Sequence, residues 1–118
     1  MITGLGTDIV EIARIKRIEE KDNRLSKRIL SDAEQEYYMT LKSAARSVQY
    51  LAGRYAVKEA YSKALGTGIG AHVSFKDIIC LNDVNGKPYL TNDRGALVSI
   101  SHTDTYATAT VIIQDIKE

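Results

Sequence analysis

Apolar and polar positions alternate at the start of the chain. Over residues 2–10, Ile2, Gly4, Gly6, Asp8 and Val10 share one face, and Thr3, Leu5, Thr7 and Ile9 share the other, which predicts a strand. The spacing then becomes helical. Residues 11–28 read as helix, with Asp22-Asn23 as the point where it could break. Ser31 and Glu34 have the spacing of a capping box, so a further helix starts at Ser31. A longer helix is predicted over 43–65, ended by Gly66. The second half is strand-like. Residues 75–82 and 87–91 flank Asn85-Gly86, a strong hairpin signal, and 97–103 and 106–113 form a second hairpin through Thr103-Asp104-Thr105. Helices first, then antiparallel strands, with one strand at the N-terminus, predict an α+β fold: an antiparallel sheet packed against a long helix plus shorter helices. No repeat, low-complexity tract or linker divides the chain, so residues 1–118 are read as a single domain.

Three polar residues sit where this pattern asks for apolar ones. Asp8 shares its strand face with Gly4 and Gly6, which leave room for a backbone or a ligand to come close. It reads equally as a strand-end aspartate turning into the helix. Glu59 follows Val48, Ala52, Tyr55 and Ala56 on the apolar side of the long helix, and Lys63 lies four residues on. A carboxylate there needs a partner, because an isolated buried charge is very costly. Two readings stand: Lys63 is that partner, or Glu59 holds a metal while Lys63 holds the anion bound to it. His102 alternates with Val98 and Ile100; a satisfied core histidine is the plainer reading, a catalyst the sharper one. His72 falls in a loop. Gly66-Thr67-Gly68-Ile69-Gly70 follows a helix C-terminus, the wrong end for a dipole-assisted phosphate site, although its free amides could still cradle an anion.

Composition narrows the field. Hydrophobic residues are 44% and charged residues 26%, as in a globular protein, and no apolar run approaches the roughly 18 residues of a membrane span. The first residues lack a basic region followed by an apolar stretch, so no secretory leader is expected and the cytoplasm is the expected compartment. The single cysteine, Cys80, lies in the apolar run 78–81 and is expected to be buried and unreactive. Net charge is +1, but residues 14–28 carry seven basic residues against three acidic ones, a local +4. Such a patch on a near-neutral chain points to one acidic partner rather than to nucleic acid. On a continuous helix Arg14, Arg17, Lys21, Arg24 and Arg28 fall within about 80° of arc, bordered by Ile18, Leu25 and Ile29. An ordinary solvated face would have the same look.

Read together, these segments resemble a known family. Gly6-Thr7-Asp8-Ile9-Val10-Glu11-Ile12, with Arg14 after it, is similar to the N-terminal signature of the holo-acyl-carrier-protein synthases. Residues 54–68, with Lys58-Glu59-Ala60, Lys63-Ala64 and Gly66-Thr67-Gly68, resemble the second signature. Asn85-Gly86-Lys87-Pro88 and Ser99-Ile100-Ser101-His102-Thr103 resemble the third and fourth. Tyr55 stands where relatives often carry phenylalanine or tryptophan.

The resemblance implies a 4'-phosphopantetheinyl transferase fold, a Mg2+ cofactor held by Asp8 and Glu59, and coenzyme A as co-substrate. It implies Lys63 at the phosphates, with Arg54, Gly66, Gly68, Pro88 and His102 also at coenzyme A, and His102 as a helper in proton transfer. Arg14, Arg24 and Arg28 would meet an acyl carrier protein, and the assembly would be a homotrimer with sites between subunits. Mg2+ is a hard ion that takes one or two carboxylates with phosphate and water oxygens, so two acids from separate elements suit it. Two rival readings are a non-catalytic coenzyme A or nucleotide-binding module and a nucleic-acid binder working through residues 14–28. No membrane association is expected.

Overall fold

The computed structural model describes residues 1–70 and 72–115. Strand β1 (Ile2–Glu11) leads into helices α1 (Ile12–Glu19), α2 (Arg24–Ile29), α3 (Asp32–Tyr38) and the long α4 (Ala44–Leu65). A 3-10 turn (Phe75–Asp77) follows, then β2 (Cys80–Asn82), β3 (Pro88–Leu90), β4 (Leu97–His102) and β5 (Tyr106–Gln114). The α+β class is as expected. β1, β5 and β4 form an antiparallel sheet in that order, and β2 pairs with β3 as a separate hairpin. Among the described residues no helix is long and apolar enough to cross a membrane.

α4 lies across one face of the sheet. Leu51, Ala52, Ala56, Val57 and Ala60 are fully buried and meet Val10, Ala107, Ala109 and Val111 in the core. The helix is buried from Leu51 to Ser62 except at Tyr55 and Glu59, a broader contact than a single stripe would give. Among the described residues no helix covers the other sheet face. In register across it run Leu5, Ile112 and Leu97, then Thr7, Thr110 and Ser99, then Ile9, Thr108 and Ser101. Leu5 and Ile9 are each 64% exposed and Leu97 49%.

Two expected elements differ. The helix over 11–28 is two helices, because Asp22 and Asn23 take left-handed backbone angles (φ 57° and 54°). Asn23 makes no side-chain cap for α2; Glu19 does that work from α1, accepting the Ser26 amide at 2.8 Å and the Tyr38 hydroxyl at 2.9 Å. Ile29 is fully buried and does not border the basic surface. The strand over 75–82 is strand only at Cys80–Asn82. Ser74 and Asp77 cap a 3-10 turn in its first part, with the Asp77 carboxylate accepting from the Ser74 amide and hydroxyl. The capping box at Ser31 and Glu34 is present, and Cys80 is buried, its thiol pushed up by burial.

Candidate active site

The site begins with two missing side chains. A Cβ on Gly4 would collide with the Ala64 carbonyl, and one on Gly6 would collide with the Ala60 carbonyl and stand 2.8 Å from the Ala64 amide nitrogen. Only glycine lets β1 approach the α4 backbone so closely. That approach sets Asp8, next on the same strand face, against the C-terminal part of the helix. The Lys63 ammonium donates to Asp8 Oδ1 and to the Thr7 carbonyl, each at 3.0 Å. The Asp8 side chain is 14% exposed and that of Lys63 53%.

Glu59 lies one helical turn before Lys63, half-buried. Burial lifts its carboxyl above the ordinary range and the Asp8 charge lifts it further, while Lys63 and Arg14 oppose the shift. Lys63 therefore favours ionised Glu59 through space, but its hydrogen bonds go to β1. The simple pairing of Glu59 with Lys63 along the helix is replaced by a strand-to-helix pair. Two carboxylates that repel each other beside an ammonium, with hard oxygen donors, suit a cation that also receives phosphate oxygens. Among the described residues no group of three His, Cys, Asp or Glu residues could hold a metal, so substrate and water would complete any Mg2+ shell.

A cavity of about 310 Å3 opens beside Glu59. Arg14, Arg24 and Arg28 line it with Ile18, Leu25, Tyr55 and Phe75. The break at Asp22-Asn23 thus does not scatter the basic surface; the turn folds α2 back so that Arg14 and Arg24 share one groove. The Phe75 ring stacks on Tyr55 at 5.8 Å and lies 5.7 Å from the Arg28 guanidinium.

Other expected residues gather elsewhere. Arg54, Pro88 and His102 line a second cavity of about 330 Å3 with Arg46, Tyr50 and Gly86. His102 is exposed, so it is not a core histidine. Arg54 is 5% exposed, donates to the Cys80 carbonyl at 3.2 Å and Asn82 Oδ1 at 2.9 Å, and sits 4.4 Å over the Tyr50 ring. Its guanidinium is largely committed to holding the β2–β3 hairpin, which shapes the cavity wall. Gly66 and Gly68 stand with neither cluster's lining residues. They are exposed, and Gly66 (φ 83°) ends α4 by donating to the Ser62 and Lys63 carbonyls at 3.1 Å.

The two clusters lie apart on one chain. Asp8 pairs across β5 with Ala109, while His102 lies on the far strand opposite Ala107. Two strand spacings separate them by about 10 Å. Arg54 and Lys63, nine residues apart on α4, are separated by about 13 Å along its axis. Arg46 and Tyr50 escaped the sequence reading, though Arg46, Tyr50 and Arg54 recur every four residues on α4, a spacing that shares a face. Phe75 was hidden by the misread strand.

A small α+β chain with paired acids and a lysine beside a basic groove has the make-up of a phosphoryl-group transferase. The family model of the 4'-phosphopantetheinyl transferase superfamily matches residues 4–111, and the chain belongs to that superfamily. It is 50% identical over 117 residues to the holo-[acyl-carrier-protein] synthase of Anoxybacillus flavithermus, covering 97% of each chain. It is 48% identical over 115 residues to that of Staphylococcus carnosus, covering 97% of this chain and 98% of the relative. Its fold superposes with a TM-score of 0.87 on the crystal structure of a holo-(acyl-carrier-protein) synthase from Bacillus anthracis in complex with CoA (3',5'-ADP), at 45% identity over 95% of this chain and 96% of that one.

Proposed function

We propose that this chain transfers 4'-phosphopantetheine from coenzyme A to a serine of an apo-acyl carrier protein, in the cytoplasm, in support of fatty acid biosynthesis. The serine Oγ forms a bond to the β-phosphorus of the pyrophosphate, the P–O bond to the nucleotide breaks, and adenosine 3',5'-bisphosphate leaves; the hydroxyl proton is released as the new bond forms. Such transfers depend on alignment and charge neutralisation more than on covalent work by the protein. Asp8 and Glu59 are the residues that would hold Mg2+, which supplies positive charge to the diphosphate oxygens when bound. Lys63 adds a second cation there. Arg14, Arg24 and Arg28 present positive charge to the acidic carrier, which speeds encounter and weakens with salt. Arg54, Pro88 and His102, with Arg46, form the second coenzyme A surface.

The coupled Asp8 and Glu59 charges beside Lys63 carry this reading. The separation of the two clusters, together with the uncovered sheet face, supports a homotrimer in which one copy's His102 cavity meets another's Asp8. A head-to-tail contact of that kind closes into a ring of three when each copy is turned by a third of a circle from the last.

Intact-mass measurement of an apo-acyl carrier protein tests the reaction. The carrier should gain the phosphopantetheine mass only when enzyme, coenzyme A and Mg2+ are all present. An unchanged mass with all three rejects the transferase, and leaves the non-catalytic coenzyme A module as the reading to pursue.

A further inference from the structure

Lys58 precedes Glu59 on α4 yet is wholly buried, and no part of the proposed transfer uses it. Its ammonium donates to Glu34 Oε1 at 2.7 Å, to the Phe75 carbonyl at 2.9 Å and to the Ile78 carbonyl. All three of its protons are thereby used. Glu34, also fully buried, accepts from the Ser31 amide at 2.8 Å and the Cys80 amide at 3.0 Å. One ion pair thus ties α3, α4, the 3-10 turn and β2 together.

Stability alone is a poor reason for this pair. Taking two charges out of water is expensive, and apolar replacements of like size are often no less stable. What an apolar pair could not do is grip two backbone carbonyls in a stretch that lacks a strand ladder. Between Ser74 and Ile79 the chain has one 3-10 turn, held by the Asp77 amide on Ser74 and the Ile78 amide on Phe75. Lys58 holds the same stretch from inside. Phe75 in turn lies against Tyr55 and Arg28 on the groove beside Glu59.

We propose that Lys58 and Glu34 are positioning residues for the carrier groove: Lys58 fixes the Phe75 backbone so that the Phe75 ring braces Tyr55 and Arg28. This rests on the transferase reading, and it assigns the pair no contact with either substrate.

Two variants and two readouts test it. Lys58→Met keeps an unbranched side chain, one atom shorter, and removes the donors. Amide exchange at Ile78 and Cys80 should accelerate by about tenfold or more while Leu51 and Ala52 in α4 keep their protection. The KM for carrier should rise about tenfold, with kcat and the KM for coenzyme A within about twofold, since a loss confined to carrier binding moves KM alone. Phe75→Ala keeps the carbonyl that Lys58 grips, so it should raise the carrier KM without faster exchange at Cys80. A general loss of structure would instead lower the active fraction and leave both KM values unchanged. The proposal is overturned by unchanged exchange at Ile78 and Cys80 in folded Lys58→Met, or by an unchanged carrier KM in Phe75→Ala. If Lys58→Met does not fold, the double substitution Lys58→Met with Glu34→Gln, which strands no buried charge, takes its place with the same two readouts and the same criteria. If the wild-type chain modifies no carrier, the transferase reading fails, and the exchange pattern still decides whether Lys58 positions the turn.

Discussion

Glu59 is held in a setting that opposes its own charge. Burial raises its carboxyl above the ordinary value, and the Asp8 charge raises it further. For an acid raised in the folded state, the folded chain carries more protons than the unfolded one between the unfolded and the folded value. Stability therefore falls as pH climbs through that window and stays lower above it. Glu59→Gln removes the penalty. It should raise the thermal midpoint of the metal-free protein at neutral pH, and the gain should vanish below the unfolded carboxyl value. It should also cut turnover by about a hundredfold or more, the usual scale for losing an electrostatic contributor of this kind. Thermal melts from pH 4 to pH 8 check the stability half; a variant that is less stable than wild type at neutral pH would contradict it. Strain of this sort is common where function outranks stability. Lys63 eases it through space, and the Lys63–Asp8 bond that holds the ammonium there links residues 55 positions apart, beyond any local pattern.

At the scale of elements, the junction of β1 with α4 decides whether the acids meet. A methyl group on Gly6 would strike the Ala60 carbonyl, and backbone cannot swing aside as a side chain can. Gly6→Ala should cost about 3 kcal/mol or more, at the upper end of overpacking penalties, and urea unfolding measures it directly. A loss under about 1 kcal/mol would mean that the strand can lift from the helix at little cost. Much of this junction was legible beforehand. Alternation placed Gly4, Gly6 and Asp8 on one face, and the capping box and Gly66 fixed two helix boundaries, because those signals are local and chemical. The 3-10 turn is the harder case: residues 75–82 are apolar enough for a strand, the Ser74–Asp77 cap is its one local sign, and the bond from Lys58 to the Phe75 carbonyl spans 17 residues. The break between α1 and α2 was visible as a weak point at Asp22-Asn23. The cap that makes it tolerable comes from Glu19, seven residues before the Ser26 amide it accepts, and Tyr38 of α3 holds that carboxylate in place. His102 was misjudged on its plainer reading, because alternation tells which face a residue takes and not how far the core extends beneath it.

The whole molecule keeps its two clusters on opposite edges of one sheet, while the face away from α4 stays bare, with Leu5, Ile9 and Leu97 open to solvent. A chain that bound its substrates alone would gain little from either feature. Both are accounted for if neighbouring copies cover the bare face and bring the Arg46 and His102 wall of one against Asp8, Glu59 and Lys63 of another. Subunit complementation tests that claim directly. Asp8→Ala cripples one cluster, and the double substitution Arg46→Ala with His102→Ala cripples the other. Co-expressed, the two chains should assemble mixed oligomers in which some sites join an intact acidic cluster to an intact cavity, and transfer to the carrier should exceed the sum of the separately purified variants several-fold. Activity no greater than that sum, in a preparation shown to contain mixed oligomers, would mean that each chain works alone and that the composite site does not exist.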